Sequence, residues 1–276
     1  MISFKPFKST YLFLFLLLNF QLISYAQSSE LKIETAAART GLYVNLLKGK
    51  NIAVVANQTS VIFKEIYKKK QEARHLVDSL LTLGIEVKKV FAPEHGFRGK
   101  ADAGEVVKDG FDTKTGLQII SLYGKNKKPS ATQLKGIDIV VFDIQDVGAR
   151  FYTYISSLHY VMEACAEAGI QVIILDRPNP NSHYIDGPVL EAKHTSFVGM
   201  HKVPVVYGMT IGEYGKMING EKWLKNGIQC DLKVIPLKNY NHQTKYSLPI
   251  KPSPNLPNDK SINLYPSLCF FEGTNV

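Results

Sequence analysis

Three cysteines in 276 residues, at positions 165, 230 and 269, make neither a disulfide framework nor a metal-ligand pattern. Cys165 lies on the apolar face of a helical pattern and Cys269 sits in Leu268-Cys269-Phe270-Phe271, so they read as buried thiols with room for at most one bridge. No Gly-x-Gly-x-x-Gly and no Gly-x-x-x-x-Gly-Lys-Ser/Thr occurs, which argues against a dinucleotide and against a phosphate-cradling loop. Gly-x-Ser-x-Gly is missing too, leaving a serine-hydrolase elbow without support. The seven histidines show no H-E-x-x-H or H-x-x-E-H spacing. Neither an internal repeat nor a low-complexity tract appears, and no cofactor is expected.

No apolar run reaches the length of about twenty residues that a membrane span needs. Tyr11 to Leu18 is unbroken, but Asn19 and Gln21 interrupt it. Two lysines precede that block and Ser24-Tyr25-Ala26 follows it, the pattern of a cleavable export signal ending at Ala26. Residues 1–26 are therefore set apart from the fold, the expected location is secreted or periplasmic, and no stable membrane anchor is expected. Removing the leader takes away Lys5 and Lys8 and no acid, so the formal charge of +9 falls by two to +7. The remaining basic clusters, Lys68-Lys69-Lys70 and Lys125 to Lys128, fall in polar connections and read as solvated loops. Without interleaved aromatics they do not suggest nucleic acid. The oligomeric state is not legible.

What the chain has is a recurring pattern. Short, nearly continuous apolar runs end abruptly in polar residues. Val87 to Ala92 delivers Pro93-Glu94-His95-Gly96-Phe97-Arg98-Gly99, and Ile137 to Phe142 delivers Asp143-Ile144-Gln145-Asp146. Ile170 to Leu175 ends in Asp176-Arg177-Pro178-Asn179, and Asn51 to Ala56 ends in Asn57-Gln58-Thr59-Ser60. Runs rich in β-branched residues suit parallel strands buried on both faces. Strands are expected near 51–56, 86–92, 117–122, 137–143, 170–176, 203–207 and 232–236. Helices are expected over 72–83, closed by Gly84, and over 151–168, closed by Gly169. The alternation predicts an α/β fold, a Rossmann-like parallel sheet with helices on both faces, over residues 27–248. The proline-rich stretch 249–276 reads as a crossing segment and the beginning of a truncated second domain.

Parallel strands joined by right-handed crossovers present their C-terminal loops on one edge, so these polar ends are expected to build one site. Glu94 is the first candidate for a general acid, because Pro93 and Phe91 would desolvate it. Asp143 and Asp146 are the candidate partner carboxylates, as in glycoside cleavage. Arg98 and Arg150 suit a carboxylate held bidentately. His95 is placed to tune Glu94 or bind substrate, and Tyr152 and Tyr154 to stack on a sugar. Asn57, Asp176 and Asn179 are expected to converge on the same pocket, with Asn255 and Glu272 at its rim. Two rival readings stay open. One is a cell-wall sugar-binding module without catalysis. The other is a metal-dependent hydrolase or deacetylase with His95, Asp143 and Asp146 around a divalent ion.

Six segments in order resemble the exo-β-N-acetylmuramidases of the NamZ type. They are Pro93-Glu94-His95-Gly96, the run from Asp143 to Tyr154, Asp176-Arg177-Pro178-Asn179-Pro180, Asp186-Gly187-Pro188, Pro252 to Pro257, and Phe271-Glu272-Gly273-Thr274-Asn275. The resemblance runs from about Thr35 to the end. It implies an exported glycosidase that removes N-acetylmuramic acid from the non-reducing end of peptidoglycan fragments. It further implies a Rossmann-like catalytic domain followed by a smaller one, with the site between them and Glu94 as its glutamate.

Overall fold

Every residue of Ile52–Ala56 is buried, because successive side chains point to opposite faces of the sheet and both faces are covered. Ala53 and Val55 pack into one core; Ile52, Val54 and Ala56 pack into another. The runs 139–143 and 171–175 divide the same way, with Val140, Phe142, Val172 and Ile174 on the first face and Ile139, Val141, Ile173 and Leu175 on the second. The computed structural model describes residues 32–66, 70–98 and 108–274. The proposed export signal, residues 1–26, lies outside them.

The strands are β1 (Ile52–Ala56), β2 (Val61–Ile66), β3 (Lys70–His75), β4 (Val87–Ala92), β5 (Gly110–Phe111), β6 (Gln118–Ser121), β7 (Ile139–Asp143), β8 (Gln171–Leu175) and β9 (Leu232–Ile235). The α-helices are α1 (Val44–Leu47), α2 (Leu76–Thr82), α3 (Ala131–Leu134), α4 (Tyr154–Ala168), α5 (Ile211–Gly220) and α6 (Asp259–Leu268). Seven strands form one sheet in the order β5-β6-β4-β1-β7-β8-β9, with only β5 antiparallel to its neighbour. The six parallel strands run outward from β1 in both directions, as in a doubly wound sheet. Leu158, Val161 and Met162 of α4, with Ile211, Tyr214 and Ile218 of α5, cover the first face. Tyr43, Leu47, Leu76, Val77 and Leu80 cover the second. From Glu34 onward the described residues pack as one unit. Leu256, Ile262, Tyr265 and Cys269 of the proline-rich end belong to the first core.

Two elements differ from the sequence reading. The helix expected over 72–83 begins only at Leu76, because residues 70–75 pair with β2 in an antiparallel hairpin. His75 caps that helix by accepting from the Val77 amide (3.2 Å), while its Nε2 meets the Asn57 carbonyl at 2.9 Å. The strand expected over 203–207 is an extended strap with isolated bridges at Val206 alone. Pro204 has no N–H to give a ladder. The strap's carbonyls serve Arg150 instead: Val205 accepts its backbone N–H at 2.8 Å and Val203 its guanidinium at 2.6 Å. Gly84 and Gly169, at φ +74° and +67°, close α2 and α4 as expected.

A buried polar chain ties α4 to α5. His159 Nδ1 lies 2.9 Å from His201 Nε2, and His201 Nδ1 lies 3.0 Å from the Tyr214 hydroxyl. His159 Nε2 faces Glu163 at 3.5 Å, and Trp223 stacks on His201 at 4.7 Å. One tautomer set satisfies every link. Tyr214 donates to His201, His201 donates to His159, and His159 donates to Glu163, with both rings neutral. Burial lowers the pKa of both histidines, that of His201 to about 3, helped by its histidine neighbour. A depressed histidine stabilises the fold above its ordinary value near 6.5, and that stability is lost as pH falls toward the folded value. His201→Gln is expected to lose stability less steeply than the parent between pH 6.5 and 4 in urea titrations. Buried Asp146 and Asp176, whose raised pKa values act in the opposite sense, are common to both proteins and cancel in the difference. Parallel pH curves would refute the neutral pair.

Candidate active site

At the carboxyl edge of the sheet lies a cleft of about 1060 Å³. The turn after β4 supplies Glu94 and His95, and the loop after β6 supplies Tyr123, Lys125 and Lys127. Phe151, Tyr152, Thr153 and Tyr154 come from the entry to α4, Phe197 and Val198 from the strap region, and Ser253, Asn255, Leu256, Tyr265 and Glu272 from the C-terminal segment. Tyr152 meets Tyr154 edge-on at 4.8 Å and Tyr265 at 5.9 Å, building an aromatic wall. Such a wall offers apolar ring surface to a sugar.

The turn holding Glu94 is built to be rigid. Pro93 ends the strand and its carbonyl accepts the Gly96 amide at 3.0 Å. His95 and Gly96 both take left-handed backbone, at φ +69° and +77°. For a histidine that conformation costs on the order of 1 kcal/mol, held here by its surroundings. Arg98 clamps the turn from outside the cleft. Its Nε and Nη2 meet the Asp112 carboxylate at 2.8 and 2.7 Å, and Nη2 also meets Asp78 at 3.1 Å. The Arg98 guanidinium beside Asp112 holds that carboxyl well below the usual range. Arg98 is thus a brace for the turn and not part of the lining. Inside the cleft the Thr153 hydroxyl stands 3.4 Å from Glu94 Oε2, and Tyr154 donates to the Glu94 carbonyl at 3.4 Å.

The crevice beside β1 and β7, where a doubly wound sheet usually seats its ligand, is filled by the protein itself. Asn57 Oδ1 accepts from the Thr59 amide and hydroxyl at 2.9 and 2.6 Å, and Thr59 Oγ1 accepts the Gln145 amide at 3.0 Å. The Ser60 hydroxyl donates to the Asp143 carbonyl and accepts the Asn57 amide at 3.0 Å. Asp143, fully buried, takes Arg177 bidentately at 2.6 and 2.9 Å. It therefore does not line the cleft as the partner carboxylate. Asn57 stays beneath the floor, where its Nδ2 donates to Tyr154 at 2.9 Å.

Asp146 is also buried, accepting from the Tyr207 hydroxyl and from the Gly148 amide at 2.7 Å. Burial pushes its pKa up to about 6. With Asp143 and Asp146 committed to Arg177 and Tyr207, the cation site imagined with His95 does not assemble. Arg150 lies outside the lining as well, its Nη1 donating to the Pro188 and Val203 carbonyls at 2.8 and 2.6 Å. Asp176 serves α5: it accepts from the Gly212 amide at 2.8 Å and the Thr210 hydroxyl at 2.9 Å. Asn179 bonds the Met209 carbonyl (2.9 Å) and packs so tightly that a Cβ on Gly148 would stand 2.3 Å from it. These groups share the edge of the sheet with Glu94 but sit under the cleft.

Of the thirteen residues proposed from sequence, Glu94, His95, Tyr152, Tyr154, Asn255 and Glu272 line one cavity. Glu272 is the carboxylate that faces Glu94 in place of the aspartates. Protein packed around its carboxyl, and then the charge of Glu94, raise its pKa. Sequence reasoning missed Tyr123, whose phenol is raised by burial and then by Glu94, although it follows the end of β6 as the strand-end rule would have predicted. It also set Lys125 and Lys127 aside as solvated, and both line the cleft.

Residues 52–260 match the family model described as exo-β-N-acetylmuramidase NamZ, N-terminal. The chain is 40% identical to the peptidoglycan β-N-acetylmuramidase NamZ of Bacillus subtilis, an alignment that covers 98% of this chain and 66% of that protein. Two crystal structures of DUF1343-family proteins from Bacteroides fragilis are similar. One is 49% identical, with a TM-score of 0.76 over 88% of this chain and 62% of that one. The other is 34% identical, with a TM-score of 0.70 over 84% and 58%. The chain thus spans about three fifths to two thirds of the length of these relatives.

The burial of Asp143 has a measurable consequence. Asp143→Ala leaves the Arg177 guanidinium buried and unpaired, which costs about 3–5 kcal/mol. Urea unfolding is expected to show that loss. A stable Asp143→Ala protein would instead mark the aspartate as a group held for chemistry.

Proposed function

The chain belongs to the NamZ family of exo-β-N-acetylmuramidases, and from that premise we propose that it is an exported glycosidase releasing N-acetylmuramic acid from the non-reducing end of peptidoglycan fragments. The observation that carries this reading is the pairing of two glutamates, Glu94 and Glu272, across a cleft walled by Tyr152, Tyr154 and Tyr265. The leader-like pattern at 1–26 supports export to where the polymer lies.

Hydrolysis adds water across the bond between the sugar's anomeric carbon and the leaving oxygen. Glu94, deep in the cleft on the braced turn, protonates that oxygen as the bond breaks. Glu272, at the open rim, steadies the positive charge that develops on the ring and receives the proton of the incoming water. Packing around the Glu272 carboxyl, and then the charge of Glu94 across the cavity, raise its pKa.

The test is turnover of a chromogenic N-acetylmuramic acid glycoside. Glu94→Gln is expected to lower kcat by about 10²–10⁴ while leaving the melting temperature and KM close to those of the parent. Near-parental turnover by Glu94→Gln would remove it as the acid. Saturable binding of the sugar with no release by the parent protein would favour a non-catalytic binding module, and turnover abolished by chelators would favour the metal-dependent alternative.

A further inference from the structure

N-Acetylmuramic acid differs from N-acetylglucosamine by a lactyl ether that carries a carboxylate, so a selective site needs a cation. The guanidiniums of Arg98 and Arg150 do not supply it, being held by Asp112 and Asp78 and by backbone carbonyls outside the cleft. Lys125 and Lys127 do line the cleft, on the loop that also carries Tyr123 toward Glu94. Resting on the muramidase reading above, we propose that Lys127, assisted by Lys125, binds the lactyl carboxylate and so sets the preference for muramic acid.

The loop is pinned on both sides of these lysines. Asn126 donates to the Ser121 carbonyl at 2.7 Å, and Lys128 is held by Glu163 and Glu167, both at 2.7 Å. Ser130 then opens α3 with a capping box. Between these anchors the Lys127 ammonium sits 4.3 Å from the centre of the Phe197 ring, which itself stacks on Tyr160. A ring face orients an ammonium without neutralising it. Among the described residues no carboxylate lies within ion-pair distance of Lys125 or Lys127. Their charge is therefore available to a ligand, on the loop after β6 whose Tyr123 phenol feels the charge of Glu94. The three lysines of residues 125–128 are of two kinds: one paired to the protein and two facing the cleft.

Calorimetric titration with N-acetylmuramic acid and N-acetylglucosamine isolates the lactyl group and needs no turnover. The parent protein is expected to prefer muramic acid by about tenfold or more, as one charge-assisted contact supplies, and the preference is expected to shrink as salt is raised. Lys125→Gln/Lys127→Gln is expected to erase it, and Lys127→Arg to retain most of it. Both lysines are at least partly solvent-accessible, and the melting temperature of each variant checks that the fold is intact. An undiminished preference in the folded double variant, or one indifferent to salt, overturns the role of the lysines and leaves the muramidase reading standing. Binding of neither sugar by the parent defeats that reading itself, and this inference with it.

Discussion

The bidentate contact between Arg177 and Asp143 is the interaction on which the upper edge of the sheet depends. It joins the ends of β7 and β8, both buried, with nitrogen–oxygen distances of 2.6 and 2.9 Å. A charge pair taken out of water is stable only when its geometry is good and its remaining polar atoms are bonded. The surroundings meet that demand. Ser60 bonds the Asp143 carbonyl from the β1 side, and the segment before α1 packs from below, where the Ala36 amide donates to the Asp176 carbonyl at 3.1 Å. Tyr43 is held neutral, its phenol raised by burial and then by Asp143. Strand ends that would otherwise diverge are fastened together, and Asp176, next to Arg177, receives the N-terminus of α5.

That fastening moves the ligand site sideways. With the crevice at β1 and β7 closed, the open space lies over the ends of β4 and β6, bounded by the aromatic entry to α4. The carboxylates that occupy it come from distant parts of the chain: Glu94 from the turn after β4 and Glu272 from the last described turn. Rigidity on the Glu94 side comes from Arg98, which never touches the cavity. The acid is held by its neighbours' constraints, as a preorganised group must be.

The strands were readable because burial on both faces demands continuous β-branched runs, a pattern that survives without any knowledge of partners. The long helix α4 was readable from its stripe and its closing glycine. Residues 70–75 were not, because Ala73, Leu76, Val77 and Leu80 satisfy a helical period, while the pairing of residues 70–75 with β2 is a non-local fact. The same limit governs the site. Proximity to a strand end marks a charged residue as interesting, but its meaning depends on partners distant in the chain. Arg98 pairs with Asp112 and Arg177 with Asp143, and no spacing rule announces either. Composition likewise ranked the run from Lys125 to Lys128 as surface charge, since its three lysines look alike until Glu163 and Glu167 claim only one of them.

Filling the usual crevice with Asn57, Thr59, Ser60 and Gln145 separates two demands that enzymes commonly place on the same atoms. Active sites tend to be frustrated regions, where groups kept ready for substrate detract from stability and where stabilising changes cost activity. Here a densely bonded polar cluster at the edge of the sheet holds the scaffold, while the cavity is bounded by loops fastened to it. Improvement of one is therefore free to proceed without loss in the other. Hydrogen bonds around Asp143 set how firmly the scaffold holds, and the loops after β4 and β6 set what it recognises. A thermostable descendant of this protein would be sought in the first group of residues, and one with altered sugar preference in the second.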